Sequence, residues 1–135
     1  MKNIVVTGST NWQDRVKLKN TLFELKNRVG DGLRIISGGF ALGTDLYVKK
    51  FTRDLDIDYA EIPPYNYQWN HYCIEPSYKF GNQFDKRYIF MRNELLAKSS
   101  DLFVIFWVES DEYKVYYEDL ANRAIKKDKK VIIVE

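Results

Sequence analysis

A single cysteine, Cys73, is all the thiol chemistry this chain carries. Without a second one there can be no internal disulfide, which fits a reducing, cytoplasmic setting. Histidine is just as scarce. His71 is the only one, and no Cys, His and Asp group has metal-ligand spacing, so neither a metal nor another resident cofactor is expected. Long apolar runs are missing: nothing approaches the roughly 20 residues a bilayer span needs. Met1-Lys2-Asn3 passes directly into Ile4-Val5-Val6 with no signal-peptide pattern, so no membrane partner is expected. A surplus of one charge is missing as well. The formal charge is +2, with lysines and arginines mixed among acids, which gives no basic face and no nucleic-acid partner. Repeats, low-complexity stretches and linkers are absent.

What remains is an ordinary globular composition. Hydrophobic residues make up 45% of 135 residues, enough for the core of one domain spanning 1–135. Aromatics are plentiful and unevenly placed. Tyr65, Tyr67, Trp69, His71, Tyr72, Tyr78 and Phe80 crowd a stretch with no clean period. A loop that long in a small domain is usually functional or disordered, and so many rings argue against disorder. The expectation is a cover folded over one end of a sheet.

The periodicity gives alternating elements. Lys2 to Thr7 reads as a buried parallel strand, broken by Gly8-Ser9-Thr10. A helix from about Asp14 to Val29 carries Val16, Leu18, Leu22, Phe23, Leu25 and Val29, with Asn11 or Asp14 as its cap and Gly30-Asp31-Gly32 as its end. Strands follow at Leu33–Ser37, Asp58–Ile62, Leu102–Val108 and Lys130–Val134. Helices are expected over 43–54, 83–98 and 113–127, the third with Phe84, Tyr88, Ile89, Met91, Leu95 and Leu96 inward. The order predicts a Rossmann-like three-layer α/β/α fold with a mainly parallel five-stranded sheet.

Within that frame, three of the seven glycines fall between Gly38 and Gly43. Ser37-Gly38-Gly39-Phe40-Ala41-Leu42-Gly43-Thr44-Asp45 lies where a strand turns into a helix. Such a bend aims unpaired N–H groups and the positive end of the helix dipole outward, toward an anion such as phosphate. Gly-Gly-x-x-x-Gly matches neither the dinucleotide fingerprint nor the P-loop, and the glycines could serve the turn alone. Ligands of parallel sheets bind beyond the carboxyl ends of the strands, so three further segments should share this rim: Gly8, Ser9, Thr10 and Trp12; Arg92 and Asn93; and Glu109-Ser110-Asp111-Glu112. Arg92 could fork onto a phosphate or make a structural salt bridge. Ser9 and Thr10 could meet a ligand or cap a helix. Trp12 could stack on a ring or pack in the core. Asp45 could bond ligand hydroxyls or answer the helix dipole. His71 could act in catalysis, Cys73 reads as a buried bystander, and Lys126-Lys127-Asp128-Lys129-Lys130 reads as a solvated turn.

Taken in order, Val6-Thr7-Gly8-Ser9 with Asn11-Trp12, then Ser37-Gly38-Gly39 with Gly43-Thr44-Asp45, then Trp69, then Arg92-Asn93 resembles the SLOG superfamily, in particular its YspA/YpsA-related branch. The resemblance covers nearly the whole chain. It implies a Rossmann-like domain that binds a nucleotide or a nucleotide-derived molecule, NAD-derived ones included, with Gly8, Ser9, Thr10, Trp12, Ser37, Gly38, Gly39, Gly43, Thr44, Asp45, Trp69, Arg92 and Asn93 at the ligand. The Lonely-guy phosphoribohydrolases are similar in outline and cleave the N-glycosidic bond of nucleoside monophosphates. By that similarity Arg92 matches an active-site arginine. This chain departs from them after the fourth strand: Trp107-Val108-Glu109-Ser110-Asp111-Glu112 stands where their glycine-rich loop would be. Three functions follow as expectations. The first is a nucleotide-binding sensor or sequestering protein. The second is an N-glycosidase using Arg92 with Glu112 or Glu118. The third is an interaction module built on the aromatic segment. Lonely-guy-like proteins are often dimers, so a homodimer is an expectation too.

Overall fold

Apolar, largely β-branched runs build the sheet, and a computed structural model describes its elements over residues 2–64, 72–73 and 86–135. They are β1 (Lys2–Gly8), α1 (Arg15–Val29), β2 (Leu33–Ser37), α2 (Thr44–Asp54), β3 (Asp58–Glu61), α3 (Lys86–Ser99), β4 (Leu102–Phe106), α4 (Lys114–Lys126) and β5 (Lys130–Val134). The strands pair in parallel in the order β3-β2-β1-β4-β5. The expected three-layer α/β/α architecture is the one observed.

Side chains alternate across the sheet because successive residues of a strand point to opposite faces. Ile4, Val6, Ile35, Val104 and Phe106 meet Leu18, Leu22, Val48 and Phe51 of α1 and α2. Val5, Ile36, Phe103 and Ile105 meet Leu96, Ala97, Tyr117, Leu120 and Ala124 of α3 and α4. Burial on both faces explains why β1 and β4 read as nearly continuous apolar runs. Among the described residues no helix is long and apolar enough to cross a membrane.

Details of the elements differ from the sequence reading. Asp14, not Asn11, caps α1, its side chain accepting from Lys17 N at 3.0 Å, and Gly30 closes the far end. Val16 and Phe23 are exposed at 70% and 52%, so the buried stripe of α1 is narrower than its apolar spacing suggested. Met91 is likewise turned outward. The inner stripe of α3 is Ile89, Arg92, Asn93, Leu96 and Ala97. Its i, i+3, i+4 spacing is regular, but two polar members disguise it. Of the expected aromatic cover only Tyr72 and Cys73 are described. Trp69, His71 and Phe84 lie outside the described residues.

Candidate functional site

The turn after β1 and the glycine loop after β2 touch. Thr44, the first residue of α2, donates to Ser9 O through both its amide (3.1 Å) and its hydroxyl (2.9 Å). Gly43 makes this approach achievable. Its φ is +67°, and a Cβ there would run into the Thr10 carbonyl. Only glycine tolerates both conditions. The amides of Ala41, Leu42 and Gly43, which lead into α2, have no hydrogen-bond partner among the described residues.

Beneath the loop sits a buried polar cluster. Asp45 is 1% exposed. It accepts from the Thr7 hydroxyl at 2.6 Å and from Phe40 N at 3.2 Å. Burial pushes its carboxyl from the ordinary 3.8 up to about 6, against the opposing pull of the Thr7 hydroxyl, the Arg92 guanidinium and the amides of Phe40 and Gly38. Gly38 lies at the centre of this cluster: a Cβ would stand 2.7 Å from Asp45 Oδ2 and 2.8 Å from Arg92 Nη1.

Arg92 is 3% exposed and ties strand ends together. Its Nη1 donates to the carbonyls of Gly38 and Ile62, the latter at 3.0 Å, and its Nε donates to Asn93 Oδ1 at 3.1 Å. The expected alternative of a structural salt bridge is therefore only part of its role. Asp45 supplies the charge and backbone carbonyls take the bonds. Asn93 carries the connection into α4 by donating to Tyr116 O at 2.9 Å and Asp119 Oδ2 at 3.1 Å.

The remaining expected residues divide. Ser9 is buried, and its hydroxyl oxygen accepts from Val108 N at 2.9 Å, which ends β4 earlier than the apolar run did. Thr10 N donates to Asp111 Oδ2 at 3.1 Å. Ser37 Oγ accepts from Gly39 N at 3.1 Å and lies 2.6 Å from Tyr59 Oη. Trp12 takes the core alternative. Its ring stands edge-on to Phe106 with centroids 4.9 Å apart, and Nε1 donates to Asp14 O at 2.8 Å, so it offers no open face for stacking. Glu112 is exposed and engages Tyr113. Glu118 pairs with Lys114 at 3.7 Å and lines a groove of about 450 Å³ with Trp107, Glu109 and Ile133. Neither carboxylate joins the Asp45 cluster.

Thr7, read only as part of a motif, and Asp111, read only as part of a rim segment, gain specific partners, while Tyr59 and Glu61 came into the site unread. Thr7 holds Asp45. Parallel register puts Ser37 beside Glu61 and Ile35 beside Tyr59, so Ser37, Tyr59 and Glu61 share one face. Tyr59 donates to Glu61 Oε2 at 2.6 Å, which leaves the Ser37 hydroxyl to donate to Tyr59. Burial, reinforced by the Glu61 charge, pushes the Tyr59 phenol well up. Alternation at the end of β3 was the available signal for this set. Asp111 is buried and also accepts from Tyr113 N at 2.9 Å, an acid three residues before the first residue of α4.

No family model matches the sequence, and a search of curated proteins finds no match. Solved structures do match in shape. The molybdenum cofactor binding protein of the phototrophic bacterium Rippkaea orientalis superposes with a TM-score of 0.66 at 17% identity, over 98% of this chain and 75% of that one. The molybdenum cofactor carrier protein of Chlamydomonas reinhardtii gives 0.64 at 17%, over 98% and 76%. DNA processing protein A of Helicobacter pylori, described for its single-stranded DNA binding mode, gives 0.70 at 18%. The chain covers 98% of itself there but spans only 64% of that protein. At such identities the kinship is one of fold.

Proposed function

We propose that this chain binds a phosphate-bearing, nucleotide-like small molecule at the carboxyl edge of its sheet and serves as a sensor, carrier or sequestering protein. The observation that carries the reading is the contact between the two bends beside the consecutive amides of Ala41, Leu42 and Gly43, which have no hydrogen-bond partner among the described residues at the start of α2. Such amides and the helix dipole suit an anionic oxygen. The ligand-side residues in this reading are Gly8, Ser9, Thr10, Gly38, Gly39, Gly43 and Thr44. Ser37, Asp45, Arg92 and Asn93 hold the loop from below. The order of these motifs supports membership of the SLOG superfamily and its YspA/YpsA-related branch. Two of the fold neighbours are named for binding or carrying the molybdenum cofactor, which adds that cofactor to the candidates. The N-glycosidase reading has less behind it, because Glu112 and Glu118 are exposed and engaged elsewhere.

The test is thermal denaturation with AMP, GMP, NAD, inorganic phosphate and the molybdenum cofactor, each well above its expected dissociation constant. A ligand present at a hundred times that constant adds about 2.7 kcal/mol, a rise in Tm of several degrees. A flat response to every compound would end the proposal. Release of free base from AMP would instead revive the hydrolase.

A further inference from the structure

The two edges of the sheet differ. At the β3 edge the chain returns: Glu61 N donates to Tyr72 O at 2.9 Å, and Cys73 bridges to Glu61 in parallel. β5 forms the other edge, and among the described residues nothing pairs with its outer side. A strand turns the backbone groups of successive residues alternately to its two edges. Lys130 N donates to Asp101 O and Val134 O accepts from Trp107 N, so the even-numbered residues of β5 face β4. The N–H and C=O groups of Val131 and Ile133 point outward, and they have no hydrogen-bond partner among the described residues. Proteins blunt such edges with proline, bulges or charges. Val131-Ile132-Ile133-Val134 has none of these. Ile132 and Ile133 are 39% and 42% exposed, one on each face of the sheet. Ile133 continues into the groove that it lines with Trp107 and Ala121. Charge is divided along the strand. Lys126, Lys129 and Lys130 flank its amino end. Glu109, Glu118 and Glu135 surround the groove at its carboxyl end, with Lys114 paired to the first two.

We infer that the outer edge of β5 is a homodimer interface, where a second copy of this chain adds its own β5 antiparallel about a two-fold axis. The divided charge selects this occupant and this direction, since each basic end then meets the partner's acidic end. Residues opposite one another in an antiparallel pair point to the same face, so the axis runs through the sheet from face to face. Centred on Ile132, it sets Val131 opposite the partner's Ile133, and their outward groups exchange both N–H···O bonds. Ile132 meets the partner's Ile132 in the closer, non-hydrogen-bonded arrangement, and Lys129 stands opposite the partner's Glu135. Centred on Ile133, it would instead set Glu135 against the partner's Val131, an acid on an apolar side chain. The first register satisfies the backbone, the apolar faces and the charges together. The carboxyl ends of the two sheets then face opposite ways, so neither copy adds a residue to the other's ligand rim. The interface is independent of the binding function proposed above.

Sedimentation equilibrium tests it on the parent chain, Ile132→Lys, Glu135→Lys and the double variant Lys129→Glu/Glu135→Lys, with circular dichroism and melting curves to establish that each is folded. The parent should be a dimer. Ile132→Lys sets two ammonium groups across the axis and should raise the dimer dissociation constant about a hundredfold. Glu135→Lys should raise it about tenfold, and the double variant should recover most of that loss. The bond from Lys129 Nζ to Ala97 O lies within one copy, so its removal does not enter the dimer constant. A monomeric parent overturns the inference. So does a dimer that Ile132→Lys leaves intact, because it would be built on another face. A charge reversal that recovers nothing overturns it as well. Should Ile132→Lys fail to fold, the charge reversal, at two positions flanking the strand, decides alone.

Discussion

Asp45 offers the sharpest test of the buried cluster. Its folded pKa of about 6 lies above the ordinary 3.8. The folded protein therefore holds a proton that the unfolded chain gives up between those values. The contribution is fully present below about pH 3.8 and is lost as pH rises through about 6. That gap corresponds to about 3 kcal/mol, or about 10 °C in Tm for a domain of this size. Asp45→Asn removes the titration and keeps the shape. The amide oxygen can accept from the Phe40 and Gly38 amides, and its nitrogen can donate to Thr7 Oγ1 once that hydroxyl reverses. Urea unfolding of both proteins at several pH values from 4 to 7 gives a stability difference in which the other titrating groups cancel. Over that window the difference should move by about 2.4 kcal/mol in favour of the variant as pH rises, since part of the full effect is already lost at pH 4. A difference that stays flat, or moves the other way, would refute the claim that desolvation dominates at Asp45.

Other perturbations follow from the same geometry. Arg92→Ala strands the carbonyls of Gly38 and Ile62 and leaves Asp45 without its countercharge. It should destabilise by about 3–5 kcal/mol in urea melts, where a pure ligand-binding role would cost nothing. Gly43→Ala drives a methyl into the Thr10 carbonyl and should cost at least about 2 kcal/mol. Gly30→Ala, also at positive φ but with nothing within 4 Å, should cost only about 1 kcal/mol. Paired thermal melts of these two variants separate close approach from backbone strain. Arg123→Ala breaks a 2.7 Å pair with Glu94 whose side chains are each 32% exposed. The loss should stay below about 1 kcal/mol and shrink in added salt.

The sheet was legible because its strands are buried on both faces and so write themselves as unbroken apolar runs. The glycine loop was legible because strand, bend and helix follow one another within a few residues. α3 was harder. Its buried stripe includes Arg92 and Asn93, and a reading that seeks apolar residues assigns Met91 to the inside instead. Trp12 shows a related limit: its sequence neighbours suggest a rim, yet the chain turns so that the ring meets Phe106, 94 residues further along. Thr7 and Asp111 were legible as members of a motif and a rim segment but not by their partners, which come from other elements: Asp45 of α2 for Thr7 and Thr10 of the turn after β1 for Asp111. Glu61 went unread although its partner Tyr59 stands two residues away on the same strand.

The central strand is the first one made. β1 lies between β2 and β4, and β4 begins about 40 residues after β3 ends, a delay of several seconds at usual rates of synthesis. Throughout that interval a ribosome-bound chain can pair β1 with β2 and β2 with β3, yet β1 shows a bare flank of backbone and the sheet an apolar face around Val5, Ile36 and Ile62 that α3 and α4 have not reached. A nascent chain stalled there would invite edge-to-edge association, so the second half of this domain shields the first as well as completing it.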